Sequence, residues 1–472
     1  MSKLLLRHAE IDGESLCDVR IEAGHVTAIE PSLATAPNET EIDAAGGALL
    51  PGLHDHHLHL FALAAAKASA GCGPPDVVDA QALKRVFAEA AVHGGWVRAV
   101  GYHESVAGDL DCAGLDALTP EGVCVRMQHR SGAMWLLNST ALKALALEGG
   151  ELPGGVERDG EGKLTGRIYY EDTWLRSKLG TSVVPDLAGV GKLLASYGVT
   201  GVTDATPDKG AEELAALAAA VARQDLRQRV VAMGRFDASP ELGADISMGA
   251  VKIMLREPEL PDFDALVAVI EQAHRAARGV AFHCVTRAEL VTAAAALREA
   301  GTIKGDRIEH ASVAPPELVE LLAELSVTVV TQPGFIYERG DVYAKDVVPA
   351  DRDWLYRGRG FLDNGVALGA GTDAPYGDAD PWLAIRAAVT RTTREARVLG
   401  RDEGLSPERA LALFTSPAAD PGGLAPRVCV GMPADLCLVD LPWHQFRERL
   451  MSAHVRLTVC RGDVTWQRDD HR

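Results

Sequence analysis

An α/β fold built on a (β/α)8 TIM barrel is predicted by three observations. Eight short, mostly β-branched segments fall at about 48–53, 198–204, 229–235, 249–255, 279–285, 306–311, 326–332 and 366–373, and most are followed by a helical pattern; eight is the number that a closed parallel barrel needs. Both ends of the chain read as short strands parted by turns. The second barrel segment begins about 140 residues after the first, too far for a plain loop. The predicted organisation is a barrel over 49–425, a small composite β-sandwich domain made from 1–48 plus 426–472, and an insertion subdomain at about 62–190 after barrel strand 1, covering the barrel mouth.

In chain order, residues 3–30 alternate as strands with a turn at Gly24, the start of the first sandwich sheet. The insertion carries helical patterns, several glycines and three tryptophans. Asp262 is placed to cap a helix whose apolar residues Leu266, Val269, Ile270, Ala273 and Ala277 recur at three- and four-residue spacing, with Gly279 after its end. Thr286 and Glu289 form a capping-box pattern, and Gly301 closes the helix they open. Ser406-Pro407 opens another, with proline at the first helical position. Strands around a Gly462-Asp463 turn, with 434–440, complete the sandwich. Strand and helix in alternation, joined by right-handed crossovers, give a parallel sheet.

Composition narrows the function classes. Of 472 residues, 47% are hydrophobic and 24% charged, so a core can form and a wholly disordered chain is excluded. The net charge of −19 repels phosphate backbones and anionic lipids, so neither nucleic acid nor a membrane surface is an expected partner. A small-molecule substrate is, and a homo-oligomer is left open. Eight cysteines occur without a CxxC pair, which signals neither a disulfide framework nor a thiolate zinc site. The first residues are apolar only at Leu4, Leu5 and Leu6 before charge returns, short of a signal-peptide core, and the cytoplasm is the expected compartment.

The densest chemical signal is Pro51-Gly52-Leu53-His54-Asp55-His56-His57-Leu58-His59. On an extended segment, residues two apart share a face, so an H-x-H pair can hold one ion. Two pairs overlap, His54/His56 and His57/His59, and spacing alone does not choose between them. Further along, Lys252 interrupts an apolar strand, where an unpaired ammonium is costly. His283 and His310 end the fifth and sixth segments, and Asp373 ends the eighth after a small-residue run.

Taken with their order, these residues resemble the amidohydrolase superfamily, whose first barrel strand ends in P-G-x-x-D-x-H-x-H. Pro51, Gly52, Asp55, His57 and His59 match that frame. The resemblance is to the amidohydrolase-3 (YtcJ-like) branch, and extends to Gly101-Tyr102, Arg130-Ser131-Gly132, Trp135, Leu137-Asn138-Ser139, the stretch from Gly198 to Ala205, Gln332-Pro333 and the stretch from Gly431 to Leu436. One departure is Ala133, where relatives often carry histidine.

The resemblance implies a binuclear centre. His57, His59 and Asp373 would bind one divalent metal, and His283 and His310 the other. Carbamylated Lys252 would bridge them; zinc suits the donors, with iron or manganese as alternatives. It implies a hydrolase that cleaves a non-peptide, amide-type C–N bond by attack of a metal-bound hydroxide, with Asp373 as general base and then general acid. By resemblance and by residue type, Tyr102, His129, Arg130, Trp135, Gln332 and Tyr337 are candidate substrate contacts, and Arg130 a candidate carboxylate clamp. The rival readings are a lactone or cyclic-amide hydrolase or a deaminase on the same barrel and, from another class, a non-catalytic binding or assembly protein. Deaminases of this superfamily usually lack the bridging lysine, and a protein that had lost its chemistry would be expected to lack ligands.

Overall fold

The structure is a computed structural model that describes residues 3–147, 151–180, 185–207, 209–236, 243 and 245–469. Residues 148–150 and 181–184 of the predicted insertion, and 1–2 and 470–472 of the predicted sandwich segments, lie outside them. The chain divides into two compact units, Met1–Leu60 with Leu187–Arg472, and Phe61–Asp186.

The first unit holds a parallel eight-stranded sheet among its described residues. Its strands are β1 (Leu53–Leu58), β2 (Val199–Asp204), β3 (Arg229–Gly234), β4 (Ile246–Met254), β5 (Val280–Cys284), β6 (Arg307–His310), β7 (Thr328–Thr331) and β8 (Leu368–Ala370). They pair in sequence order from β1 to β8. The ring closes just beyond the last strand, where the Asp373 amide donates to the His57 carbonyl at 2.7 Å and the His59 amide to the Ala374 carbonyl at 2.8 Å. Closing there brings the end of β1 against the turn after β8.

Several helices form as their termini dictate. The Asp262 side chain accepts from the Ala265 amide at 3.0 Å and caps Phe263–Arg275. Thr286 and Glu289 make the reciprocal capping box of Arg287–Ala300, which ends at Gly301 with φ +76°. Ser406 caps Pro407–Thr415, with proline in its first turn. Among the described residues, no helix is long and apolar enough to cross a membrane.

One segment differs from the sequence reading. Residues 49–51 were expected to lead into the barrel, but Leu49–Pro51 pairs antiparallel with Leu436–Val439 in a sheet that also holds Val455–Cys460 and Asp463–Gln467. The barrel strand begins after Gly52, where a Cβ would lie 2.2–2.8 Å from the side chain of Thr200 on β2. Hydropathy misplaces this strand because four of its six residues are His54, Asp55, His56 and His57, all buried. A second sheet of Lys3–Ile11, Ser15–Glu22, His25–Glu30 and Glu39–Asp43 shares a core with the first, through Leu4, Leu6, Val19, Ile21, Leu436, Leu438, Leu457 and Val459. Both ends of the chain thus build one composite β-sandwich.

The second unit carries a six-stranded mixed sheet, in the order Val156–Arg158, Leu164–Tyr169, Met134–Leu137, Cys124–His129, Trp96–Tyr102, Ala70–Gly71. Leu83, Phe87, Val97, Val125, Met127 and Leu136 form one of its apolar clusters.

Candidate metal centre

The donors come from the C-terminal ends of the barrel strands, where catalytic groups of this architecture gather. His57 and His59 lie on and just after β1, and the ligand atoms of His57, His59 and Asp373 all fall within 4.8 Å of one another. His59 Nε2 is 3.1 Å and His57 Nε2 3.5 Å from Asp373 Oδ1. The His310 ring adjoins, 4.8 Å from that of His57 and 4.5 Å from that of His283, centroid to centroid. His54 and His56 turn the other way, to Thr203 Oγ1 at 2.9 Å and Ser416 Oγ at 3.0 Å. Geometry therefore chooses the pair that spacing left open.

Two of the histidines are held in one tautomer by partners on the far side of the ring, and a third has a partner there. The His57 Nδ1–H donates to buried Glu309, which Arg307 grips through two nitrogens while also donating to the His56 carbonyl at 2.8 Å. The His310 Nδ1–H donates to Gln332 Oε1 at 2.6 Å. His59 Nδ1 lies 3.2 Å from Thr206 Oγ1; that hydroxyl donates to Asp204 Oδ1, which is paired with buried Lys209 at 2.9 Å. With the proton on Nδ1, the Nε2 lone pair of His57 and of His310 is free to donate, the arrangement that metal-binding histidines require; His59 adopts it on giving up its Nε2 hydrogen bond to Asp373.

Electrostatics point the same way. Burial pushes His310 down to about 3 and His283 well below the usual imidazole range, so both are neutral. Burial alone would raise the Asp373 carboxyl, but the hydrogen bond with His59 Nε2 leads the contacts that outweigh it and hold the carboxyl below its usual range. Burial also brings the Lys252 ammonium down to about 8, against the attraction of Glu309, and its Nζ is a buried nitrogen with no hydrogen-bond partner. A lysine so placed is easily deprotonated and then nucleophilic. Neutral imidazoles and an ionised carboxylate fit a divalent cation at His57, His59 and Asp373.

Asp55 shapes the site without joining it. It accepts from the amides of His57 and Thr372 and from the Thr372 hydroxyl, tying β1 to the turn after β8, and burial raises its carboxyl to about 7. His310, Ala311 and Asp373 have φ of +69°, +46° and +57°, the left-handed region that non-glycine residues seldom occupy. Such strain gathers at functional sites, at roughly 1–3 kcal/mol per residue.

Of the candidate substrate contacts, Gln332 orients His310, and Tyr337 lies in the helix Gly334–Asp346 with the Arg394 guanidinium 5.3 Å from its ring. The other four belong to the second unit. Tyr102 donates its hydroxyl to the Gly108 carbonyl at 2.6 Å, and Trp135 donates from Nε1 to Asp172 at 2.8 Å. His129 stands beside Glu104 and His103, and the Arg130 amide donates to the Tyr102 carbonyl at 2.8 Å. Sequence reasoning missed Glu309, Arg307, Thr206, Asp204 and Lys209. Only the density of charge in Arg307-Ile308-Glu309-His310, inside a buried strand, hinted at them.

Comparison with known proteins decides the family: the model of the amidohydrolase family (Amidohydro_3) matches residues 40–466. The chain belongs to the amidohydrolase family. This amidohydrolase is 25% identical to an N-substituted formamide deformylase of Arthrobacter pascens, over 88% of each chain. It is 24% identical to the amidohydrolase-type protein YtcJ of Bacillus subtilis (strain 168), over 81% of this chain and 82% of that one. In fold it is similar to an uncharacterized metal-dependent hydrolase of Pyrococcus horikoshii OT3, with TM-score 0.73 and 20% identity over 93% and 98% of the two chains. It is also similar to N-isopropylammelide isopropylaminohydrolase of Burkholderia multivorans ATCC 17616, with TM-score 0.55 and 18% identity over 98% of each.

Proposed function

We propose that this amidohydrolase hydrolyses a non-peptide C–N bond of a small molecule, with amides of the formamide and N-acyl type as the substrate class. The observation that carries the reading is the convergence of His57, His59 and Asp373, with His310 and His283 alongside and Nε2 lone pairs made available from outside the site. The similarity to a deformylase of N-substituted formamides supports the choice of bond. In this reading His57, His59 and Asp373 would hold one divalent ion and His283 and His310 a second, with Lys252, as a carbamate, as a shared ligand; zinc would suit these donors. The ions supply Lewis acidity, which lowers the pKa of water from 15.7 to about 7 and polarises a carbonyl.

The chain's own residues do the rest. Asp373, kept ionised, takes the proton of the attacking water at a carboxylate oxygen and returns it to the departing nitrogen, which leaves as a neutral amine. Glu309 and Thr206 keep the His57 and His59 rings from rotating as charge builds. Asp373→Asn is expected to lower kcat by about 100- to 10,000-fold while the fold persists; activity within a few-fold of wild type would remove Asp373 from proton transfer.

The deciding experiment is elemental analysis of wild type and Lys252→Ala purified from the same metal supply, with a screen of N-substituted formamides, N-acyl amides and cyclic amides. About two ions per chain, falling in the variant, with turnover in the screen, is the expected result. About one ion in both proteins would make Lys252 a bystander and turn the search to mononuclear hydrolases and deaminases.

A further inference from the structure

The helix Gly334–Asp346 follows β7 directly and carries a cation that the hydrolytic mechanism does not use. Arg339 is partly buried, and one of its five N–H groups donates to the Tyr376 carbonyl. Its guanidinium carbon lies 4.0 Å from the centre of the Phe335 ring. Among the described residues, no carboxylate hydrogen-bonds to it or pairs with it. The contrast with Arg391 is informative. That side chain likewise hydrogen-bonds no carboxylate, but its Nε, Nη1 and Nη2 donate to the carbonyls of Leu399, Tyr356 and Leu355, so it is satisfied as a structural cation. Arg339 is not.

Its position gives the vacant donors a direction. Tyr376 belongs to the turn after β8, where its amide donates to the Asp373 carbonyl at 2.8 Å and its ring stands edge-on to His59 at 5.4 Å. Arg339 is therefore anchored to the same turn that presents Asp373, and the Asp373 carboxylate is among the charges acting on it. On its other side stand Phe335, Tyr343 and Tyr356, with the two tyrosine hydroxyls 3.3 Å apart. A guanidinium held at one nitrogen, against an aromatic ring and tied to the turn that carries Asp373, is suited to receive a planar anion through two parallel N–H bonds.

We infer that Arg339 receives a carboxylate of the substrate, so that the amide cleaved is an N-acyl or N-formyl amino acid rather than an uncharged formamide. The inference rests on the hydrolytic reading for the bond broken, but binding tests it apart from turnover. The carboxylate clamp suggested by sequence was Arg130, in the second unit; Arg339 carries no motif that would have marked it.

The test is calorimetric titration of the metal-loaded protein with a panel of N-formyl amino acids and their uncharged carboxamides, on wild type, Arg339→Met and Arg339→Lys. Wild type is expected to prefer the acids, Arg339→Met to lose roughly 100-fold in affinity for them while its carboxamide affinity holds, and Arg339→Lys to recover part of the loss. In turnover the same loss should fall on KM rather than kcat. Acids bound no better than carboxamides by wild type would overturn the assignment, as would an acid preference that survives in Arg339→Met and so belongs to the ions. Binding that follows the expected pattern without turnover would leave Arg339 assigned and the hydrolytic reading refuted.

Discussion

In the proposed metal centre Glu309 would offer no atom to an ion, yet the readiness of His57 to bind one depends on it. Its carboxylate accepts the Nδ1 proton and is itself fully buried, stabilised there by Arg307 against the cost of burial. Glu309→Gln keeps the shape and removes the charge, so the imidazole becomes a weaker donor and Arg307 loses its counter-charge. Metal affinity, measured by competition with a chromophoric chelator, is expected to fall by roughly 10- to 100-fold; an unchanged affinity would show that the tautomer is held by other means. Residues of this kind explain what the sequence could not show. The candidate ligands His57, His59, Lys252, His283, His310 and Asp373 stood out because their types are unusual at strand ends. Glu309 acts on a residue 252 positions away, and no local spacing encodes that partnership.

At the scale of elements, the site depends on how closely β1 approaches the turn after β8. A Cβ on Gly371 would lie 2.5–2.7 Å from the backbone nitrogen, Cβ and carbonyl oxygen of His57, atoms that cannot rotate away. Gly371→Ala is therefore expected to lower the Tm by an amount equivalent to about 1–3 kcal/mol, the usual range for overpacking, and to reduce bound metal with it. Gly160→Ala, where no atom lies within 4 Å of the added Cβ, is the control and should change stability by less than about 0.5 kcal/mol. Equal effects at the two sites would mean that close approach is not what Gly371 provides. Helix ends were legible because caps are local chemistry: Thr286 with Glu289, and Ser406 with Pro407, each complete a motif within four residues. The start of β1 was not, because its buried polar residues find partners on β2, on β6, in the turn after β8 and at Ser416, and hydropathy cannot see such partners.

For the molecule as a whole, the pH dependence of stability carries the mark of a buried acid. Burial raises the Glu338 carboxyl from 4.5 to about 7, so between those values the folded chain holds a proton that the unfolded chain has released. Stability from this group is complete below pH 4.5 and declines as pH rises towards 7. Glu338→Gln should therefore melt higher than wild type above pH 7, with the advantage closing towards pH 5; parallel Tm–pH curves would refute it. The barrel and the sandwich at the chain ends were both visible in sequence, as strand counts and turn spacings. That Lys3–Asp43 and Leu436–Gln467 share one core has a consequence in time. On a ribosome adding ~5–20 residues per second, the first strands wait roughly 20–80 s for the partners that bury Leu4, Leu6, Val19 and Ile21. Through most of its synthesis this chain exposes an unfinished apolar face, which makes the nascent polypeptide a natural client for chaperones.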